Sequence, residues 1–354
     1  YTTLFRSQLS VWTVCDTAAA HGRTAPVVTS IAGRLPDTDR STPIGAHQAI
    51  LATHRDGTYL IWAGQRSRID PADRAVTFNL GLDPAATRPV EISTALLDSI
   101  PATEPLVMPV IPDAGAPSTW LPGASVGTVL ETRDAAGAAI GFYLLLPTGV
   151  QQVTGFVADL LRTRRPHQPR LVGPDALVHI PVVDVLNVGY YPAERLTFID
   201  TVANPVTCLQ WAKQSGDPQA TVTLRSGRGL PVAPGDEVRL VRLVRDDRGP
   251  DSVEADRTLV LPSAATLVAT TSGLRTSDSR ESLYALSAQG IRFGIQWDQQ
   301  TLRALGIDPD AAVQAPWPLL RTFAAGPALS REAALLARDT VPGAVAAVPE
   351  RHPG

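Results

Sequence analysis

Few side chains in this sequence are spaced as a catalytic or cofactor site would require. A P-loop combines glycines with a lysine that is followed by Ser or Thr. The single lysine, Lys213, stands instead in WAKQSGD, so this motif is absent. One G-x-S-x-G segment occurs, GASVG at 123–127. A nucleophile elbow at Ser125 would need a strand before it and a helix after it. The residues that follow are typical of a β-hairpin, which favours a tight glycine turn.

The histidines and the proline-flanked aspartates also lack catalytic spacing. No H-E-x-x-H and no i, i+4 pair occurs among His21, His47, His54, His167, His179 and His352. This scatter favours surface or packing roles and leaves open a Ser-His-Asp grouping formed only in space. Asp83, Asp175 and Asp308 stand beside prolines at corresponding places, which predicts helix N-caps or turns. We therefore predict no catalytic, cofactor-binding or metal-binding residues.

The two cysteines, Cys15 and Cys208, are 193 residues apart, and neither belongs to a C-x-x-C pair. They fit either a structural disulfide in an oxidising compartment or two unrelated buried thiols. Each has a tryptophan three residues away, Trp12 on one side and Trp211 on the other, and each is followed by a Gly-Arg pair. These matching contexts indicate a duplicated strand–loop–strand unit, whose two copies a bridge would join.

Composition excludes several classes of protein. The 354 residues carry 31 basic and 34 acidic side chains, for a net charge of -3. Because both signs are interspersed, a nucleic-acid footprint is not expected. No apolar run reaches the roughly 18 residues of a membrane-spanning helix. The 31 prolines and 27 glycines predict short elements separated by turns.

The first seven residues, YTTLFRS, match the one-frame translation of the constant end of a common short-read sequencing adapter. We interpret residues 1–7 as an artefact and exclude them from the fold. A natural strand that happens to have this sequence is the alternative. If residues 1–7 are an artefact, part of the natural protein is expected upstream of Gln8.

Three stretches of the chain follow one pattern: GTYLIWAGQRSRI (57–69), GFYLLLPTGVQQV (141–153) and SLYALSAQGIRFGI (282–295). Each joins two strands through a glycine-containing turn, which predicts a β-hairpin. Each is followed by a leucine-bearing helix, a proline-rich turn and a second amphipathic turn. A hairpin with helices predicts an α+β repeat. Three unrelated hairpins are the alternative.

The remaining segments predict mostly strands. Residues 220–232, 237–244 and 257–272 show alternation or β-branched runs, and with the first part of the chain they indicate two halves of one central β domain. The predicted order is the first half of the central domain (8–48), two α+β repeats (49–115 and 116–189), the second half (190–275), a third repeat (276–330) and an Ala/Pro-rich tail (331–354).

Four segments in order resemble one protein family. LSVWTVCD, NPVTCLQW, the strand GFYLLLPTGVQQV followed by VADLL, and the LGIDP unit together resemble EccB. EccB is the membrane-anchored core component of the mycobacterial and actinobacterial type VII (ESX) secretion machinery. The resemblance runs from about Gln8 to Phe323. No single motif is diagnostic, and the ordered combination carries the resemblance.

The resemblance implies an elongated α+β architecture in which four α+β repeats surround a central β domain with quasi-two-fold symmetry. It implies that Cys15 pairs with Cys208, and that this portion lies on the periplasmic side of the inner membrane. Other ESX membrane-complex subunits and sister copies are the implied partners of a scaffold for protein export, without cofactors or nucleic acid. A further repeat and a transmembrane helix are expected upstream of Gln8.

Two other functions remain as alternatives. Members of the family have been labelled ATPases, although no Walker-type lysine or acidic partner can be named in this chain. An envelope hydrolase that acts on nucleotides or cell wall would belong to the same class of alternative. The second alternative function is a cell-wall binding module that uses Trp120, Trp297 and Trp317. Packing within the repeats is the competing interpretation of these tryptophans.

Overall fold

Strands in four sheets are the main secondary structure of this computed structural model, which describes residues 9–19, 25–55, 57–83, 85–164, 170–243, 252–330 and 348–349. The predicted artefact at 1–7 and the Ala/Pro-rich tail, apart from residues 348–349, lie outside the described residues. Within them, short helices accompany the sheets. The predicted mixture of strands and helices is confirmed at this level.

The strands are short, as the frequent turn residues predict. They are β1 (Leu9–Thr17), β2 (Val27–Ala32), β3 (Ser41–Pro43), β4 (Gln48–His54), β5 (Gly57–Trp62), β6 (Gln65–Ile69), β7 (Val90–Glu91), β8 (Val129–Arg133), β9 (Ala139–Leu146), β10 (Gly149–Val153), β11 (Arg170–Leu171), β12 (Thr197–Phe198), β13 (Val206–Gln214), β14 (Thr221–Gly227), β15 (Val241–Arg242), β16 (Arg257–Val260), β17 (Leu267–Thr271), β18 (Leu283–Leu286), β19 (Ile291–Ile295), β20 (Val313–Pro316), β21 (Ala324–Ala325) and β22 (Val348–Pro349).

The α-helices of the described residues have four to ten residues. They are α1 (Arg74–Leu80), α2 (Thr94–Ser99), α3 (Gly155–Arg164), α4 (Pro174–Leu177), α5 (Pro234–Glu237), α6 (Gln299–Leu305) and α7 (Trp317–Leu320). Asp73 caps α1 and Asp298 caps α6, each with its carboxylate on two backbone amides. Both helices end at a glycine with positive φ, Gly81 or Gly306. Matching local signals therefore build matching helices in distant parts of the chain.

Three units share one pairing scheme. The first unit contains β4–β7 with α1 and α2, the second β8–β11 with α3 and α4, and the third β17–β21 with α6 and α7. In each, three antiparallel strands precede a helix and a strand parallel to the first of them. A second helix then leads to a segment that pairs in parallel with the third strand. The three predicted hairpins are confirmed.

The central sheet has the order β22-β15-β16-β2-β1-β13-β14-β3. Within it, the neighbouring strands β1 and β13 are antiparallel, with Trp12 opposite Trp211 and Cys15 opposite Cys208. β2 flanks β1 and β14 flanks β13, both antiparallel. These four adjacent strands therefore form two strand–loop–strand pairs side by side, which agrees with the duplicated contexts of the cysteines.

Both faces of the central sheet are buried. On one face Trp12 and Trp211 pack with α2 and α7 residues such as Leu96 and Leu320, so the first and third units share one core. The opposite face holds the disulfide among aliphatic side chains such as Ile31. A separate cluster joins α1 of the first unit to α3 of the second. The first unit is therefore joined to the third through one apolar cluster and to the second through another.

Some strands differ from the sequence prediction in their length or in the sheet to which they belong. The strand predicted over 237–244 is wrong in its first part, because Pro234 and the acidic residues after it start α5, and β15 has only two residues. Within 190–275, β12 pairs with β4 and β17 with β18. These two strands therefore belong to the sheets of the first and third units.

Candidate functional site

The middle of the central sheet carries the disulfide. Cys15 and Cys208 are fully buried and bonded to each other, so the pairing implied by the family resemblance is present. Because they face each other across β1 and β13, the bond joins strands whose own sequences lie far apart. The disulfide therefore holds together β1 and β13, the strands of the central sheet on which the first and third units pack.

An ion-pair cluster joins the first and third units above this sheet. Asp98 of α2 lies 2.7 Å from Nη2 of Arg321 and 4.0 Å from Nη2 of Arg66. Burial lowers the pKa of Arg66, and the Asp98 carboxylate offsets part of that effect. Arg66 also donates from Nε to the Ile100 carbonyl. Arg292 makes the matching bond to Phe323 in the third unit, so the two units are built alike at this junction.

A buried carboxylate links β1 to the first unit. Asp16 accepts hydrogen bonds from the Ser93 backbone amide at 2.6 Å and from the Ser93 hydroxyl at 2.7 Å. Ser93 is the N-cap of α2. Burial raises the pKa of Asp16 to about 7, against the opposing effect of these two bonds. Asp16 is therefore a titratable contact between the central sheet and α2.

His54 lies beside this contact without forming a catalytic triad. Its Nδ1 is 2.9 Å from the Ile92 carbonyl oxygen, and its Nε2 is 3.4 Å from Oγ1 of Thr94. A triad needs the histidine between the hydroxyl and the carboxylate. Here the Ser93 hydroxyl donates directly to Asp16, so the carboxylate occupies the place of the base. The hydrogen bonds of His54 and Asp16 are therefore suited to holding the start of α2 in place.

Ser125 lies in the glycine turn that the sequence favours. Gly123 and Gly127 both have positive φ, and Ser125 bridges Pro117 before β8 begins. The segment leads into the β8–β9 hairpin, as predicted. It lacks the helix that a nucleophile elbow requires. The backbone therefore supports the turn interpretation of Ser125.

Lys213 is buried in β13, and its contacts differ from those of a phosphate-binding lysine. Its side chain is 5% exposed, and Nζ donates to Asp278 at 2.7 Å and to the Ser277 carbonyl at 3.3 Å. Asp278 itself is 77% exposed. The lysine therefore attaches the loop between β17 and β18 to the central sheet.

We expect the two partners of this ion pair to respond unequally to substitution. Asp278→Ala leaves a buried ammonium group with one carbonyl and should cost about 1–3 kcal/mol of unfolding free energy. Lys213→Met keeps an unbranched side chain in place and frees a carboxylate that water can solvate, so its cost should be smaller. Urea unfolding of both variants measures the difference. A larger loss for Lys213→Met would contradict this assignment.

Most of the other singled-out polar residues have local roles. Asp308 caps a short 3-10 helix and Asp83 accepts the amide of Ala85 in a turn, as predicted. The N-cap or turn prediction is wrong for Asp175, which lies inside α4 after its N-cap Gly173. His47 pairs with Glu194 at the surface, and His179 is exposed. His21, His167 and His352 lie outside the described residues.

Two of the three singled-out tryptophans pack within the units. Trp120 is partly buried and donates to the Pro147 carbonyl, and Trp317 stacks on Tyr284 with ring centroids 5.7 Å apart. Trp297 is exposed. Packing therefore accounts for Trp120 and Trp317.

An open groove of 750 Å³ lies between α1 and α3, lined by Phe78, Phe142 and Phe156 with Arg162 and Arg195. Asp159 and Glu194 also line it, so its charges have both signs. Among the residues that the structure describes, no cluster of three His, Cys, Asp or Glu could hold a metal ion. In the same residues, no helix is long and apolar enough to cross a membrane.

Sequence reasoning missed the contacts of Asp16, Ser93, Asp98 and Arg321. Asp16 had one local signal, since it is the one charged residue of β1. The partner of each group lies far away in the chain: Ser93 is 77 residues from Asp16 and Asp98 is 223 residues from Arg321. No sequence spacing could identify these pairs.

Comparison with known proteins gives a consistent result. The family model described as type VII secretion system ESX-1, transport TM domain B, matches residues 5–343. The "ESX-2 secretion system ATPase EccB2" of Mycobacterium tuberculosis (strain ATCC 25618 / H37Rv) is 58% identical over 341 residues, which cover 95% of this chain and 69% of that protein.

Solved structures of relatives have the same fold. The periplasmic assembly from the ESX-5 inner membrane complex contains a chain with 34% identity and a TM-score of 0.77, covering 95% of this chain and 80% of that one. The EccB3 dimer from the ESX-3 core complex has 34% identity and a TM-score of 0.77, covering 94% of this chain and 83% of that one. This chain therefore belongs to the EccB family of type VII secretion systems.

Proposed function

We propose that this chain is the periplasmic scaffold portion of a subunit of an ESX inner membrane complex, and that it supports protein export through contacts with other subunits and sister copies. The observation that carries the proposal is the match over 95% of the chain to the periplasmic assembly of the ESX-5 inner membrane complex. The buried disulfide supports a location outside the cytoplasm, where such bonds persist.

We further propose that the three units are α+β repeats in an arrangement around a central β domain with quasi-two-fold symmetry. Their common pairing scheme, the matching caps of α1 and α6, and the matching bonds of Arg66 and Arg292 support this architecture. The repeat ranges 49–115 and 116–189 are proposed with it, and the third range, 276–330, is extended to include β17, which pairs with β18 and β20. Several similar units attached to one disulfide-bonded sheet offer several rigid surfaces to which partners can bind.

Co-purification tests the scaffold function. A tagged protein that contains this chain, expressed with the other ESX membrane components of its source, should be recovered with them from detergent-solubilised membranes. Asp98→Ala together with Arg321→Ala should weaken recovery, because the junction of the first and third units loses its ion pair. A matched double change of the exposed pair Arg228 and Asp39 should leave recovery unchanged. Recovery of the tagged protein alone would contradict the proposal.

Nucleotide hydrolysis is the second candidate, because the matched relatives are named ATPases. Lys213 is buried in an ion pair and Ser125 lies in a turn, so neither residue is placed to bind a phosphate. We expect homogeneous protein to show no ATP turnover. Turnover that persists through purification and falls with Ser125→Ala or Lys213→Ala would favour the enzyme instead.

A further inference from the structure

The two helices at the junction of the first and third units are attached to the central sheet by different chemical groups. Directly after α7, the Thr322 hydroxyl bonds to the Ser30 hydroxyl of β2 at 2.6 Å. At the start of α2, Ser93 bonds to the Asp16 carboxylate of β1. A pair of hydroxyls stays neutral at any pH that a folded protein tolerates, whereas a carboxyl group titrates. The two attachments therefore differ in their response to pH.

The site around Asp16 disfavours the ionised form of its side chain. Asp16 is only 2% exposed, and the residues opposite it in the sheet, Val28 and Thr207, are uncharged. Among the residues that the structure describes, Ser93 alone bonds to this carboxylate, and no basic side chain pairs with it. A buried carboxylate without a cation is costly to ionise. Burial accordingly raises the pKa of Asp16 to about 7.

Three other titratable side chains belong to the elements around this contact. Asp256 accepts a backbone amide of β2 at 2.7 Å, and Glu91 is exposed on β7. Both are acidic, so neither can neutralise an ionised Asp16. His54 can carry a positive charge, but its two ring nitrogens contact the residues directly before and after Ser93. Asp16 is therefore the buried acid that holds the start of α2.

We propose that proton release from Asp16 opens the start of α2 from β1, so that pH controls how firmly the first unit is attached to the central sheet. Opening lets water reach the carboxylate, which stabilises its ionised form. The closed state holds the proton up to about pH 7, whereas a solvated carboxyl group releases it near 3.8. Opening therefore becomes easier as pH rises between these values. The attachment of α7 stays closed, because its two hydroxyls remain neutral.

Native-state hydrogen exchange of the full chain tests this opening. The amides of Leu96 and Leu97 report on α2, because both bond to Ser93, and the Thr322 amide reports on α7. From pH 5.5 to pH 8, the protection factors of the α2 amides should fall about thirtyfold, the ratio that pKa values of 3.8 and about 7 give. At pH 8 they should be lower than the protection factor of Thr322. They should also change little in dilute urea, because a local opening exposes little surface.

Two variants assign the proton to one group. Asp16→Asn keeps an acceptor for the Ser93 amide and a partner for its hydroxyl without a titrating group, so its α2 amides should lose the response to pH. His54→Gln is the matched control, because glutamine can donate to the Ile92 carbonyl in place of the ring. It should keep the response. The comparison of α2 with α7 in the wild type decides the case even if Asp16→Asn does not fold.

Three results would overturn the proposal. Equal protection of α2 and α7 at pH 8 would show that the chain opens only as a whole. Protection of α2 that stays constant from pH 5.5 to pH 8 would show that no proton controls the opening. A response that survives in Asp16→Asn would exclude the carboxyl group, and its loss in His54→Gln would then assign the proton to the histidine.

Discussion

Breaking the disulfide should cause the largest loss of stability. For a cross-link between residues 193 apart, the loop-closure model gives up to about 5 kcal/mol of unfolding free energy. The reason is that Cys15 and Cys208 are 193 residues apart in the sequence, so the bond closes a long loop and greatly restricts the unfolded chain. Urea unfolding of Cys15→Ala/Cys208→Ala, compared with wild type, measures the loss.

A reductant separates the cross-link from the packing of the sulfur atoms. Wild type at equilibrium with reductant loses only the bond, whereas the double variant also loses two buried sulfurs. The double variant itself should not respond to reductant. Intact mass after alkylation without reduction should show no free thiols in oxidised wild type. An unfolding midpoint that reductant leaves unchanged, with both thiols alkylated, would refute the stabilising role.

The second large effect is a fall in stability as pH rises, caused by Asp16. Burial raises the pKa of this carboxyl from 3.8 to about 7 in the folded chain. Between these values the folded state keeps a proton that the unfolded state releases, so unfolding becomes easier as pH increases. The contribution is complete below pH 4 and is lost as pH rises through 7. Between pH 5 and pH 8 it amounts to about 3 kcal/mol.

Asp16→Asn isolates this contribution. An asparagine can accept from the Ser93 amide and donate to the Ser93 hydroxyl, so the link to α2 is kept without a titrating group. The difference between wild type and variant in urea midpoint should therefore shrink toward low pH. Asp298→Asn is the matched control, because hydrogen bonds from Thr301 lower the pKa of that exposed cap. A pH profile that Asp16→Asn leaves unchanged would count against the assignment.

Local signals in the sequence were sufficient for the hairpins and the ends of the helices. In the first hairpin, Ala63 and Gly64 form a two-residue turn with positive φ at both positions, and the glycine is the local signal for this turn because glycine adopts positive φ readily. Asp73 and Gly81 begin and end α1 through bonds to their own neighbours. The prediction at 237–244 was wrong in its first part because a β-like pattern there competes with a proline and acidic residues that begin a helix.

The sequence by itself determined the hairpins, the caps, the absence of a P-loop and the resemblance to EccB, because each depends on residues close together or on ordered segments. Tertiary structure alone decided that Asp16 bonds Ser93, that Asp98 meets Arg321, and that α2 packs on α7. Such contacts form between segments that only the folded sheets bring together, and their energies depend on burial, which sequence spacing does not fix.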